Sequence, residues 1–127
     1  ESVDENTQGI LELAAVVHDI SCPLCREKYG NTNGKNQEFE SEPLVKEFFE
    51  GMPVSEQKVE RIIWLVTHHH TYTNIDGIDY QILIEADFLV NASESNFSKV
   101  SIENAKSRIF KTAAGCRLLE SIFLREE

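Results

Sequence analysis

Cysteine, proline, glycine, methionine and tryptophan are all scarce in this chain of 127 residues, at three, three, six, one and one. An odd, low cysteine count does not build the paired disulfide framework of small secreted domains, and it fits a reducing compartment better. So few glycines and prolines exclude collagen-like and linker-like chains. Basic residues are short too: 12 Lys+Arg stand against 22 Asp+Glu, a net charge of −10. That balance opposes approach to a polyanion, so neither duplex nucleic acid nor an anionic membrane is an expected partner. No apolar run reaches the roughly 18 residues that span a bilayer. The opening Glu-Ser-Val-Asp-Glu-Asn lacks the basic and apolar regions of a signal peptide. The expectation is a soluble, cytoplasmic protein.

What is present is 41% hydrophobic and 27% charged residues, the composition of a globular chain able to bury a core. Its length predicts a single domain over 1–127. Ile10, Leu13, Ala14 and Val17 recur at helical spacing, predicting a helix that ends near His18-Asp19. From Ser21 to Glu42 no period is sustained, which predicts a long loop and, because such loops are often functional, a candidate wall or lid of a site. Pro43 suits a first helical position, before Leu44, Val45, Phe48 and Phe49. Ser55 caps a helix whose apolar face, Val59, Ile62, Ile63 and Val66, leads on to His69 and His70. A further helix carries Tyr80, Leu83, Ile84, Phe88 and Asn91 on one side, with Asp87 among them. Ser101 is expected to cap the next helix, and Gly115 to break or bend it before Leu118, Leu119, Ile122 and Phe123. No segment alternates convincingly with period two. The expected fold is all-α, a bundle of five or six helices.

Asp87 carries the first chemical argument, because a carboxylate on a buried stripe must be neutralised, paired or bound to a metal. His69 and His70, and His18-Asp19, stand at the ends of their own helices. Imidazole and carboxylate together suit a divalent transition metal, whether iron, manganese, nickel, cobalt or zinc. Such a site acidifies bound water and polarises a phosphoryl oxygen. Blander readings stand beside this one. A His-Asp dipeptide occurs by chance, Asp87 can pair with an arginine, and His68-His69-His70 can be an exposed helix end favoured by the macrodipole. Agreement among three helices favours the metal.

Leu13-Ala14-Ala15-Val16-Val17-His18-Asp19-Ile20, then Val66-Thr67-His68-His69-His70, then Glu85-Ala86-Asp87-Phe88-Leu89, together resemble the ordered histidine and aspartate pattern of the HD-domain metal-dependent phosphohydrolases. The resemblance implies an α-helical fold around a metal held by His18, Asp19 and Asp87. It matches the family's middle histidines, which touch phosphate or a second metal, most closely to His69, with His68 and His70 beside it. Under it Asp19 orients or deprotonates the attacking water, and His69 protonates a leaving oxygen or binds phosphate. Lys28 and Lys35 become candidate phosphate contacts, although lysines in such a segment are more often simply solvated. The family's first ligand histidine precedes the His-Asp helix, and this chain has none before His18. Either an N-terminal helix of the full-length protein is missing from this sequence, which the abrupt acidic start favours, or the site is degenerate.

The expected function is hydrolysis of a small phosphate ester or anhydride, with nucleotides among the candidates. The alternative is a non-catalytic HD-type domain that binds a nucleotide or phosphorylated ligand as a sensor or interaction module. A third possibility is a helical protein whose His and Asp only satisfy one another. Cys22-Pro23-Leu24-Cys25 has the spacing of a zinc or redox pair. A structural zinc site needs four ligands and no second such pair exists, so a tight loop turn with partly buried thiols is the expectation. Trp64 is expected in the core or a subunit interface.

Overall fold

The computed structural model describes residues 3–124, and every regular element among them is an α-helix, as expected. The helices are α1 (Glu5–Val17), α2 (Cys22–Tyr29), α3 (Gly34–Phe49), α4 (Glu56–His68), α5 (Ile78–Ser95), α6 (Lys99–Arg108) and α7 (Ala113–Phe123). None is long and apolar enough to cross a membrane. The chain divides into two compact units, Asp4–Thr73 and the stretch from Asn74 onward.

In the first unit, the Asp4 carboxylate accepts the Thr7 amide at 2.7 Å and starts α1. Ile10, Ala14 and Val17 of α1 are buried, and the helix closes at His18. The segment expected as a loop from Ser21 to Glu42 instead holds α2 and the first half of α3. Pro23 stands in the first turn of α2, and left-handed Gly30 (φ 75°) ends it by donating its amide to Arg26 O. Pro43 is likewise no first-turn residue but lies inside α3. The buried stripe of α3 is Gln37, Ser41, Val45 and Phe49, four residues apart. Its first half is polar, so a hydrophobic period could not reveal it. Ser41 and Ser21 satisfy that polar half: Ser21 Oγ donates to Gln37 O at 3.0 Å, and Ser41 Oγ lies 3.1 Å from Ser21 Oγ. Helix α4 starts at Ser55, whose hydroxyl accepts the Lys58 amide, and buries Ile62, Leu65 and Val66. It packs against both α1 and α3.

In the second unit, Phe88, Ala92, Ile102, Ala105, Phe110 and Leu119 form the core. The Phe88 and Phe110 rings meet edge to face at 5.7 Å. Ser98, not Ser101, caps α6, because its hydroxyl accepts the Ser101 amide at 3.2 Å. Nor does Gly115 break a helix. The chain leaves α6 at Arg108, and Thr112 caps α7, with Gly115 in the first turn donating its amide to Thr112 Oγ1 at 2.9 Å. The buried Glu85 carboxylate serves that same start: it accepts the Lys111 and Thr112 amides at 3.0 and 3.1 Å and the Thr112 hydroxyl at 2.6 Å. Gln81 bridges the same carboxylate to Ile109 O.

Gly115 is required because a Cβ there would overlap Glu85 Oε1 and crowd Thr112 Oγ1. Gly115→Ala should destabilise the protein by about 1–3 kcal/mol, the usual cost of overpacking. Gly9 lies inside α1 with nothing within 4 Å of such a Cβ, so Gly9→Ala should instead stabilise by roughly 0.5–1 kcal/mol. Urea denaturation followed by circular dichroism checks both; equal and small effects would remove the role assigned to Glu85.

Candidate functional site

The first unit brings His18, Asp19 and His69 together. Both histidines are the closing residues of helices, His18 of α1 and His69 of α4. Each ring places Nδ1 2.6 Å from the carbonyl oxygen three residues back, Ala15 O for His18 and Val66 O for His69. An Nδ1–H donated to a backbone carbonyl leaves the neutral ring with its lone pair on Nε2, the arrangement that metal-ligating histidines use. Both Nε2 atoms face one carboxylate: His18 Nε2 is 3.2 Å from Asp19 Oδ2, and His69 Nε2 is 4.0 Å from Asp19 Oδ1. The two rings stand nearly perpendicular at 5.5 Å.

His69 is fully buried, whereas Asp19 is exposed. Once His18 is also protonated on Nε2, its hydrogen bond holds the Asp19 carboxyl below its ordinary pKa, against the desolvation that raises it, and the charges of protonated His18, His69 and His70 act in the same lowering direction. Two helix C-termini converge here as well, and each adds partial negative charge. The spot therefore favours a cation, with two nitrogen donors and a carboxylate already turned toward one another.

The other two histidines of the triple have different surroundings. His70 donates its amide to Glu38 Oε2 at 3.1 Å, and its Nε2 lies 3.0 Å from Gln37 Oε1. Its ring is 4.0 Å from that of His69. His68 stacks on Trp64 with ring centres 3.8 Å apart. Trp64 is 43% exposed, so of the two places the sequence offers it, core or subunit interface, the core is not where it lies; its run of apolar neighbours gives no sign of which one turns outward.

Lys28 and Lys35 lie on α2 and α3, not in a loop, and each meets a carboxylate. Lys28 Nζ is 2.8 Å from Glu40 Oε1, which also accepts the Tyr29 hydroxyl at 2.9 Å. Those hydrogen bonds hold Glu40 below its ordinary pKa and raise Lys28. Lys35 Nζ is 3.4 Å from Glu38 and 3.1 Å from Thr71 Oγ1. Asp87 belongs to α5 in the second unit, where it is 6% exposed and accepts the Asn91 side-chain amide at 3.1 Å.

Sequence reasoning missed Glu38. It collects the His70 amide, the Thr71 hydroxyl and Lys35, yet it stands in a polar run with no apolar period to flag it. Gly34 was equally silent: a Cβ there would lie 2.7 Å from His70 Cβ and 2.8 Å from its Cγ, so α3 approaches the His70 ring as closely as it does because residue 34 has no side chain.

No protein-family model, curated protein or solved structure matches the chain.

Gly34→Ala should therefore displace the His70 ring and destabilise the protein by about 1–3 kcal/mol. If that contact is the cause, Gly34→Ala in a His70→Ala background should cost less by more than about 0.5 kcal/mol, a coupling that a double-mutant cycle resolves. Additive effects would place the cause elsewhere.

Proposed function

We propose that this chain is a cytoplasmic, HD-type metal-dependent phosphohydrolase acting on a small phosphate ester or anhydride, with nucleotides among the candidate substrates. The observation that supports this most is the pair of imidazoles whose Nδ1 atoms rest on backbone carbonyls while their Nε2 atoms face one carboxylate, Asp19. Two neutral Nε2 lone pairs opposite an anion repel it; a shared cation removes the repulsion, so this donor chemistry fits a divalent metal.

His18, Asp19 and His69 would hold that ion. A divalent metal there would supply acidified water and polarise a phosphoryl oxygen. Asp19, exposed and held ionised, would orient the attacking water or take its proton. His69 has its Nδ1 at a backbone carbonyl and its ring buried, which suits a ligand better than the proton donor expected from the sequence. Lys35, largely exposed and next to Thr71, is the better-placed phosphate contact; Lys28 is more closely bound to its carboxylate. His68 on exposed Trp64 offers an aromatic surface to a substrate, and His70 stands beside His69 to meet a phosphoryl oxygen.

The pairing of both lysines with glutamates favours a second reading, a non-catalytic HD-type module that binds a phosphorylated ligand without turning it over.

Elemental analysis and phosphatase assays with aryl phosphates and nucleotides test the proposal. Wild type should carry near-stoichiometric transition metal, and Asp19→Ala and His18→Ala should each lose both metal and turnover while retaining helical circular dichroism. Metal without turnover on any substrate would support the second reading. Turnover retained in Asp19→Ala would sink both. Acidification should release the metal, because ligating imidazoles must be neutral. Affinity should thus fall as pH drops through the ordinary imidazole range, from about 7 to about 5, while the Asp19 carboxyl is held low. A metal affinity flat across that range, measured by competition with a chelator, would remove the histidines as ligands.

A further inference from the structure

Cys22 and Cys25 occupy the first turn of α2, three residues apart on a helix that begins at Cys22. We propose that they form a dithiol that closes to an intramolecular disulfide on meeting a low-molecular-weight disulfide such as oxidised glutathione.

The placement carries the chemistry. Helical residues three apart lie on one face with Cβ atoms about 5–6 Å apart. A disulfide needs Cβ atoms about 3.5–4.5 Å apart, so the turn must tighten by roughly 1–2 Å. At the start of α2 the Cys22 and Cys25 amides donate to Asp19 O and Ser21 O at 3.0 and 2.8 Å, whereas Ser21 makes no side-chain cap bond and Pro23 contributes no amide. The two thiols also differ in access. Cys22 is half-buried and Cys25 is fully buried. Beneath Cys25 lies the Ser21 hydroxyl, 3.9 Å from its Sγ, already joined to Gln37 O and Ser41 Oγ in a polar layer that accommodates a hydroxyl-sized change at position 25.

The order of events follows from that difference. Cys22 Sγ gives its proton to solvent and attacks one sulfur of the small disulfide, forming a mixed disulfide and releasing one thiolate, which takes up a proton. Cys25 Sγ then gives up its proton and attacks Cys22 Sγ, forming the internal bond and expelling the second small thiol. Two protein thiols are oxidised and one small disulfide is reduced to two thiols.

The full chain incubated with oxidised glutathione and analysed by peptide mass spectrometry tests this. The peptide carrying both cysteines should lose the mass of two hydrogens and regain it with dithiothreitol. In Cys25→Ser, glutathione should remain attached to Cys22, because no resolving thiol follows. In Cys22→Ser, Cys25 should stay unmodified. A wild type in which glutathione persists on Cys22, or in which the pair stays reduced while Cys116 is modified, would overturn the proposal; because this result is read on the unaltered chain, misfolding of a variant does not affect it.

Discussion

Glu38 decides where the end of α4 sits. A helix C-terminus leaves its last carbonyls without intrahelical partners and releases the chain into a less constrained path. Here that path is caught at once: the His70 amide and Thr71 hydroxyl both bond to Glu38 of α3, and Lys35, one turn earlier on α3, joins them. Since His70 is fixed by its amide, by Gln37 and by the close approach of Gly34, the residue before it has little freedom left. His69 then turns its Nδ1 to Val66 O and its Nε2 toward Asp19. The position of His69 is thus set through Glu38, which holds the two residues that follow it.

The second unit uses the same device. Glu85 sits among apolar residues of α5 and is saturated by the Lys111 and Thr112 amides, the Thr112 hydroxyl and the Gln81 amide. A buried carboxylate without such donors would be prohibitively costly. With them it specifies where α7 begins, and Gly115 leaves the room it needs. In a chain with 22 acidic residues against 12 basic ones, two acids, Glu38 and Glu85, are thus internal acceptors for helix ends. Net charge alone describes the surface such a chain shows to a polyanion, not what its individual carboxylates do.

This explains what the sequence disclosed and what it did not. Helices α1, α4 and α5 bury apolar residues at helical spacing, so periodicity located them, together with the ends that carry His18 and His69. Helix α3 buries Gln37, Glu38, Glu40 and Ser41 before its apolar half begins, and α2 buries only Cys25, so α2 and the first half of α3 read as a loop. Pro43 and Gly115 misled for a related reason. Each is a strong local signal whose usual meaning, a helix start or stop, was overridden by neighbours that only the tertiary structure supplies. His18, Asp19 and His69 were all singled out from the sequence; that both rings turn Nε2 toward Asp19 depends on backbone carbonyls, which carry no residue identity.

The proton inventory at Asp19 constrains every functional reading. With Nδ1–H of both rings on carbonyl oxygens, the neutral tautomers have no proton left for the carboxylate. A proton on Nε2 of His18 would let that ring donate to Asp19, and a cation among the three groups would take the place of such a proton. The first option makes the group a charged histidine pair closed on itself, stabilised by the partial negative charge of two helix ends. The second draws on the same field and adds the coordination preference of nitrogen and oxygen donors for a divalent ion. Protons and metal therefore compete for one set of atoms, so an ion that binds there must displace a proton whenever either histidine is charged, and its occupancy is tied to pH by the same geometry that attracts it.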